Sequence, residues 1–315
     1  MGRNILNKIF YLAISMLIMS MLIFALVEMM PGDVATVILG QNATPEALAA
    51  LRESLGLDRP VYMRYLIWLG NILTGNLGDF FFMKGVPLGP LVAQRTLNSA
   101  VLSILATVIY VPLGLLFGVA AGLNENRWPD HVLSTIGILG LALPTFVVGV
   151  LLMTLFSVGL GWLPMTSNIP IGKTIWQSLD RLILPALSVT LVMLGYLMRM
   201  VRASMINVLN SSYVRAAVLK GFPSWYVLVR HALGNALLPG VTVIGMNVGW
   251  MLGGLVVVET LFGFPGLDFL TVTAVTTRDL PLIEICVLVI TLVYLVSNML
   301  VDAAYYWLNP RLRHK

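Results

Sequence analysis

The sequence predicts an all-α, polytopic membrane protein with six membrane-spanning helices and a small helical segment outside the membrane after the first span. Three observations carry that prediction. Of 315 residues, 58% are hydrophobic and only 10% charged, whereas soluble domains carry about a quarter charged residues. The charged residues gather in clusters between long apolar runs, and six of those runs reach the length of a bilayer crossing. Charge cannot be left in hydrocarbon, so this distribution excludes a soluble globular protein. The net charge of +5 is spread between the apolar runs rather than collected in a patch or stripe, which excludes nucleic acid as a partner. The lone Cys286 lies inside an apolar run, so there is no disulfide framework and no cysteine metal cluster.

Crossing about 30 Å of hydrocarbon takes roughly 20 helical residues. The runs that qualify are 9–30, 97–123, 132–160, 182–200, 237–258 and 282–307. The first follows Arg3 and Lys8 as a signal peptide would, but its uncharged stretch up to Glu28 is longer than a signal core and no small-x-small site follows, so it reads as a retained span. An even number of spans puts both termini on one side. Arg3, Lys8, Arg127, Arg199, Arg202, Arg215, Lys220, Arg230, Arg311, Arg313 and Lys315 fall on that side, against Lys173, Arg181 and Arg278 on the other. The positive-inside rule therefore predicts cytoplasmic termini. The expected division is a tail and first span (1–30), an external segment (31–96), a membrane core (97–308) and a cytoplasmic tail (309–315).

The external segment carries local helix signals. Thr44, Pro45 and Glu46 give an N-cap, a first-turn proline and an acid near the positive helix end, with Gly56 as a stop. Residues 61–73 follow Pro60 with apolar residues at helical spacing plus Tyr62, Tyr65 and Trp68, which suits a helix lying along the membrane interface. The segment reads as a cap on the bundle in preference to a substrate-contacting element.

Ionisable residues are absent from every span centre. Glu28, Glu259, Glu284 and Asp302 fall within about two turns of a predicted end, near enough for interfacial water. A proton-coupled carrier would lack its coupling group. Sodium coupling through backbone carbonyls at helices broken by Pro112, Pro144 or Pro185 remains open, which keeps an ion-coupled secondary transporter as the alternative function. Gly114, Gly118 and Gly122, and again Gly245, Gly249 and Gly253, form side-chain-free stripes, for tight packing or for sliding between inward-open and outward-open bundles. Gly172-Lys173-Thr174 lacks the earlier glycine of a phosphate loop, since Ser167 stands there, and no HExxH or GxSxG pattern occurs. The chain is therefore not expected to be an enzyme or to bind a metal or ATP itself.

No acid occurs between Asp180 and Glu259, while Arg199, Arg202, Arg215, Lys220 and Arg230 accumulate. Ser211 or Ser212 can cap a short helix over Tyr213, Val214, Arg215, Ala216, Ala217, Val218, Leu219 and Lys220, stopped by Gly221, and Pro223-Ser224 starts another. Helices so short are marginal alone, which implies docking on something. By composition, lipid headgroups and a protein serve equally well.

The stretch YVRAAVLKG from Tyr213, followed by RHALGNALLP from Arg230, resembles the coupling-helix motif, here at about 212–231, of ATP-binding-cassette importer permeases. It is most similar to the dipeptide, oligopeptide, nickel and glutathione group. PGD at Pro31, LGLDRP at Leu55, GNLG at Gly75, LGWLP at Leu160, LPALSV at Leu184, VVVETLFGFPGL at Val256, RDLP at Arg278 and NPRLR at Asn309 extend the resemblance over nearly the whole chain. It departs from the general motif in having Arg215 before Ala216-Ala217 and Gly234 after Leu233. The resemblance implies a type I importer transmembrane fold in the bacterial inner membrane. It also implies a homologous second permease subunit, two nucleotide-binding ATPase subunits that hold ATP and magnesium, and an extracytoplasmic solute-binding protein. The implied coupling residues are Tyr213, Val214, Arg215, Ala216, Ala217, Lys220 and Gly221. Arg215 and Lys220 suit carboxylates across an interface. Asn247, Trp250 and Glu259 are candidates for lining the translocation path. Peptides or chelated solutes are the implied cargo.

Overall fold

The computed structural model describes residues 2–29, 39, 44–78, 86–170, 172–251 and 254–308. Pro31–Asp33, Gly253, the 309–315 tail and its basic residues lie outside the described residues. The chain divides into two compact units. One comprises residues 1–98 with 266–295, the other residues 99–265 with 296–315.

The first unit holds α1 (Gly2–Glu28), α2 (Pro45–Leu55), α3 (Val61–Leu73), the opening turns of α4 (Leu88–Leu123), α12 (Leu267–Thr277) and most of α13 (Leu280–Leu308). Helices α2 and α3 form where the local signals place them. Thr44 Oγ1 accepts from Ala47 N at 3.3 Å, and Gly56 ends α2 at φ +66°, a conformation that costs a residue without Cβ nothing. Helix α3 leans on α1 through Tyr65 and Trp68, whose rings lie 5.5 and 5.4 Å from that of Phe24, and through the Arg64–Glu28 ion pair. The core of this unit joins Ile23 and Val27 to Leu88, Val92, Leu270, Leu282 and Cys286.

The second unit holds the rest of α4, α5 (Trp128–Ala142), α6 (Thr145–Leu152, continued by a π-turn to Gly159), α7 (Ile183–Leu209), α8 (Ser212–Leu219), α9 (Ser224–Ala236), α10 (Leu238–Met251) and α11 (Val256–Phe262). Its core is built on α7, whose Leu184, Val189, Leu194, Leu197 and Val201 pack with Leu102, Tyr110, Val243 and Phe262. The stripe Gly114, Gly118 and Gly122 meets α7 directly. A Cβ on Gly118 would sit 2.6 Å from Val201 Cβ and 2.8 Å from the Met198 carbonyl oxygen. Gly245 and Gly249 are buried.

Among the described residues, four helices are long and apolar enough to cross a membrane: Asn7–Glu28, Leu88–Leu123, Ile175–Leu209, whose first turns to Leu182 are 3-10, and Leu280–Val301. Two of the six expected spans are not single helices. The span expected over 132–160 breaks between α5 and α6 with a bend of 108°. Pro144 has no N–H to donate, and Leu143 before it is pushed to the extended region at φ −90°, ψ 127°. The span expected over 237–258 is a 14-residue α10, about 21 Å long, entered from α9 through a 41° bend beside Pro239 and followed by the separate α11. Helix α11 ends at Gly263, at φ +60°.

Candidate functional site

Helix α7 runs nine residues past the expected end at Met200, so it delivers α8 directly. Ser211 occupies the N-cap position of α8 without capping it, because its hydroxyl donates to the Val208 carbonyl at 2.5 Å. Helix α8 is held instead by its apolar inner face, where Val214 and Ala217 pack on Val208 and Val227. Its end is a Schellman turn. Gly221 N donates to Val218 O at 2.9 Å and Phe222 N to Ala217 O at 3.4 Å, with Gly221 at φ +81°. Beyond the turn, Pro223 precedes α9 and the Phe222 and Tyr226 rings lie 5.2 Å apart. Asn235 Nδ2 donates to Tyr213 Oη at 3.1 Å, tying α9 back to α8.

The outer face of this helix-turn-helix is open. Tyr213, Arg215, Ala216, Lys220 and Gly221 are exposed, whereas Val214 and Ala217 face inward. The same face carries large apolar side chains that sequence reasoning did not single out: Leu219 is 82% exposed, and Val218, Phe222 and Trp225 stand beside it. Their signal was an apolar pair at the end of a short helix in a basic loop.

The three path candidates do not share one environment. Trp250 is half-exposed and lines a small cleft with Thr145, Val189, Met193, Gly254 and Val257. Asn247 is buried in the bundle. Glu259 does not reach interfacial water: it is fully buried and accepts a hydrogen bond from Ser99 Oγ at 2.5 Å.

The ion pair beside this loop was missed in the sequence. Asp130, in the first turn of α5, is buried and receives four hydrogen bonds: from Asn126 N at 3.0 Å, Ser134 Oγ at 3.1 Å, and Arg202 Nη2 at 2.6 Å and Nε. Arg202, counted in the sequence among the loop cations, is thus committed inside the chain. Among the described residues no group of three or more His, Cys, Asp or Glu side chains could hold a metal ion.

The family model described as binding-protein-dependent transport system inner membrane component matches residues 111–314, and that for the N-terminal part of such membrane components matches residues 1–106. The chain is 36% identical over 315 residues to the glutathione transport system permease protein GsiC of Salmonella typhi, and 35% identical over 315 residues to that of Escherichia coli (strain K12). Each alignment covers all of both chains. A probable peptide ABC transporter permease protein, y4tP of Sinorhizobium fredii, is 36% identical over 314 residues, again with full coverage of both. A crystal structure of an amino acid ABC transporter with histidines aligns at a TM-score of 0.54 and 18% identity, over 69% of this chain and 93% of that one. At that identity it supports the all-helical fold alone.

Proposed function

Because the chain belongs to the binding-protein-dependent transport system inner membrane components, the permease subunits of ATP-binding-cassette importers, we propose that it takes its energy from separate ATPase subunits through the α8–α9 turn. Both termini and this turn lie in the cytoplasm. Two ATPase subunits hold ATP and magnesium, a homologous second permease completes the pathway, and an extracytoplasmic binding protein delivers the solute. The cargo class is glutathione-like or short peptides, in keeping with relatives that are similar along their whole length.

The observation that carries this reading is the composition of the exposed face. An apolar ridge of Val218, Leu219, Phe222 and Trp225, flanked by Arg215 and Lys220, stands on a turn whose backbone is fixed by Gly221. Apolar side chains this exposed on a rigid polar-rimmed surface mark a protein interface. The two cations suit acidic groups at its rim. Ala217 contributes by letting α8 sit close on Val208, while Ala216 leaves room for a partner. In the pathway, Trp250 at its cleft is the residue assigned to meet solute. Asn247 and Glu259 act by fixing the helices around it.

The test is capture of the ATPase by affinity-tagged permease from co-expressing cells, with Leu219→Asp as the main variant. The substitution is at an exposed site, so the permease is expected at wild-type yield with the ATPase lost. Undiminished capture would remove the ridge from the interface. Uptake driven by an ion gradient in liposomes holding the permease alone would remove the ATP-driven assignment.

A further inference from the structure

We propose that Asp130 and Arg202 are positioning residues that fix the angle between α5 and α7, so that a displacement of α8 is passed to α5 and to the broken helix beyond it. The inference rests on the coupling role proposed for α8.

The two helices meet at a crossing made of backbone. A Cβ on Gly137 would lie 3.6 Å from Gly195 Cα, and one on Gly140 would lie 2.5 Å from the Leu191 carbonyl oxygen. Such a contact brings the helix axes close, and side chains fill in around it: Met198 Cε is the nearest atom to a Cβ built on Gly137, and Leu141 Cγ would lie 3.3 Å from one on Gly195. Packing this close sets the distance between the helices, and the ion pair adds a second, directional contact. Asp130 precedes Gly137 by seven residues and Arg202 follows Gly195 by seven, so on each helix the charged group stands about 10 Å from the crossing. The bidentate bond therefore ties the two helices at a second point, about two turns from the close contact, and two such points fix the angle between them.

The bond is built to hold. The Asp130 side chain is 2% exposed and that of Arg202 29%. The acid is fixed by Ser134 Oγ on its own helix and by Asn126 N in the turn before it, while the arginine fork supplies the other two donors. Two parallel N–H···O bonds fix direction as well as distance. Arg202 sits seven residues before the end of α7 at Leu209, and Ser212 opens α8 three residues later. At its other end α5 leads to the break at Leu143–Pro144 and to Thr145 at the Trp250 cleft. A push on α8 is thus carried by α7 to the ion pair, and by α5 to the cleft.

A merely structural pair would lower the yield of folded protein, and with it hydrolysis and uptake in proportion. A positioning pair changes the ratio between them. In the reconstituted full transporter, Asp130→Asn is expected to keep ATP hydrolysis while solute taken up per ATP falls by about tenfold. Arg202→Lys should retain most of the ratio. Should Asp130→Asn fold poorly, the pair Asp130→Cys with Arg202→Cys, in a Cys286→Ser background, gives a second route: joining the thiols with a short bifunctional reagent is expected to restore the ratio. A further arm needs no ATPase. Spin labels on the exposed Val132 and Asn207 of the permease alone should show a broader distance distribution in Asp130→Asn than in wild type, so this arm decides the clamp even if the ATP-driven assignment fails. An unchanged uptake-to-hydrolysis ratio in Asp130→Asn, or an unchanged distance distribution, would overturn the proposal.

Discussion

Arg202 and Leu209 lie seven positions apart on α7, and across that short distance the surface changes character. At Arg202 a buried acid is saturated with four hydrogen bonds and the glycine-lined faces of α4 and α5 press against α7. Past Leu209, α8 keeps only a thin inner face, Val214 and Ala217, and turns Val218 and Leu219 outward. The first region closes on itself, and the second leaves its apolar side chains exposed. The contrast separates two settings within the same basic stretch: one arginine holds the chain together, while Arg215 and Lys220 stand exposed.

Substitutions should therefore fall on a scale of stability, read by chemical unfolding in detergent. The largest loss is expected from Arg202→Ala, about 3 kcal/mol or more, because it strands the Asp130 carboxylate in a buried site. A loss below about 1 kcal/mol would mean that water reaches that carboxylate and that the two regions differ less than the structure indicates. Next comes Gly118→Leu, at about 2 kcal/mol, since its side chain would be driven into Val201 and the Met198 carbonyl. Ser99→Ala follows at about 1 kcal/mol, through the hydrogen bond lost to buried Glu259. Leu219→Asp should change stability by less than about 0.5 kcal/mol, yet weaken ATPase capture by about thirtyfold, the scale of an interface hot spot. A large stability loss there would place Leu219 in the chain's own core and erase the contrast.

What could be read in advance follows the range of the interactions. Helices α2 and α3 and the Gly221 turn rest on signals within a few residues, such as Thr44 with Ala47 or Gly221 with Val218, and those were legible. Apolar length found the crossing segments but passed through the break at Leu143–Pro144, because hydropathy is blind to a missing N–H, and through the separation of α10 from α11. The Asp130–Arg202 pair joins positions 72 apart, and a tally of basic residues by loop counted Arg202 as free. One clue was present: no acid lies between Asp180 and Glu259, so any partner for Arg202 had to come from another segment. The exposure of Leu219 against the burial of Ala217 depends on how α8 is rolled on Val208, which spacing alone leaves undetermined.

The most direct test of the whole account is solute uptake by liposomes that contain the assembled transporter, comparing wild type with Leu219→Asp at equal permease content and saturating ATP. Concentrative uptake is expected for wild type and none above background for the variant, with the permease still folded. Equal uptake by the two would contradict the claim that energy enters through the exposed ridge of α8.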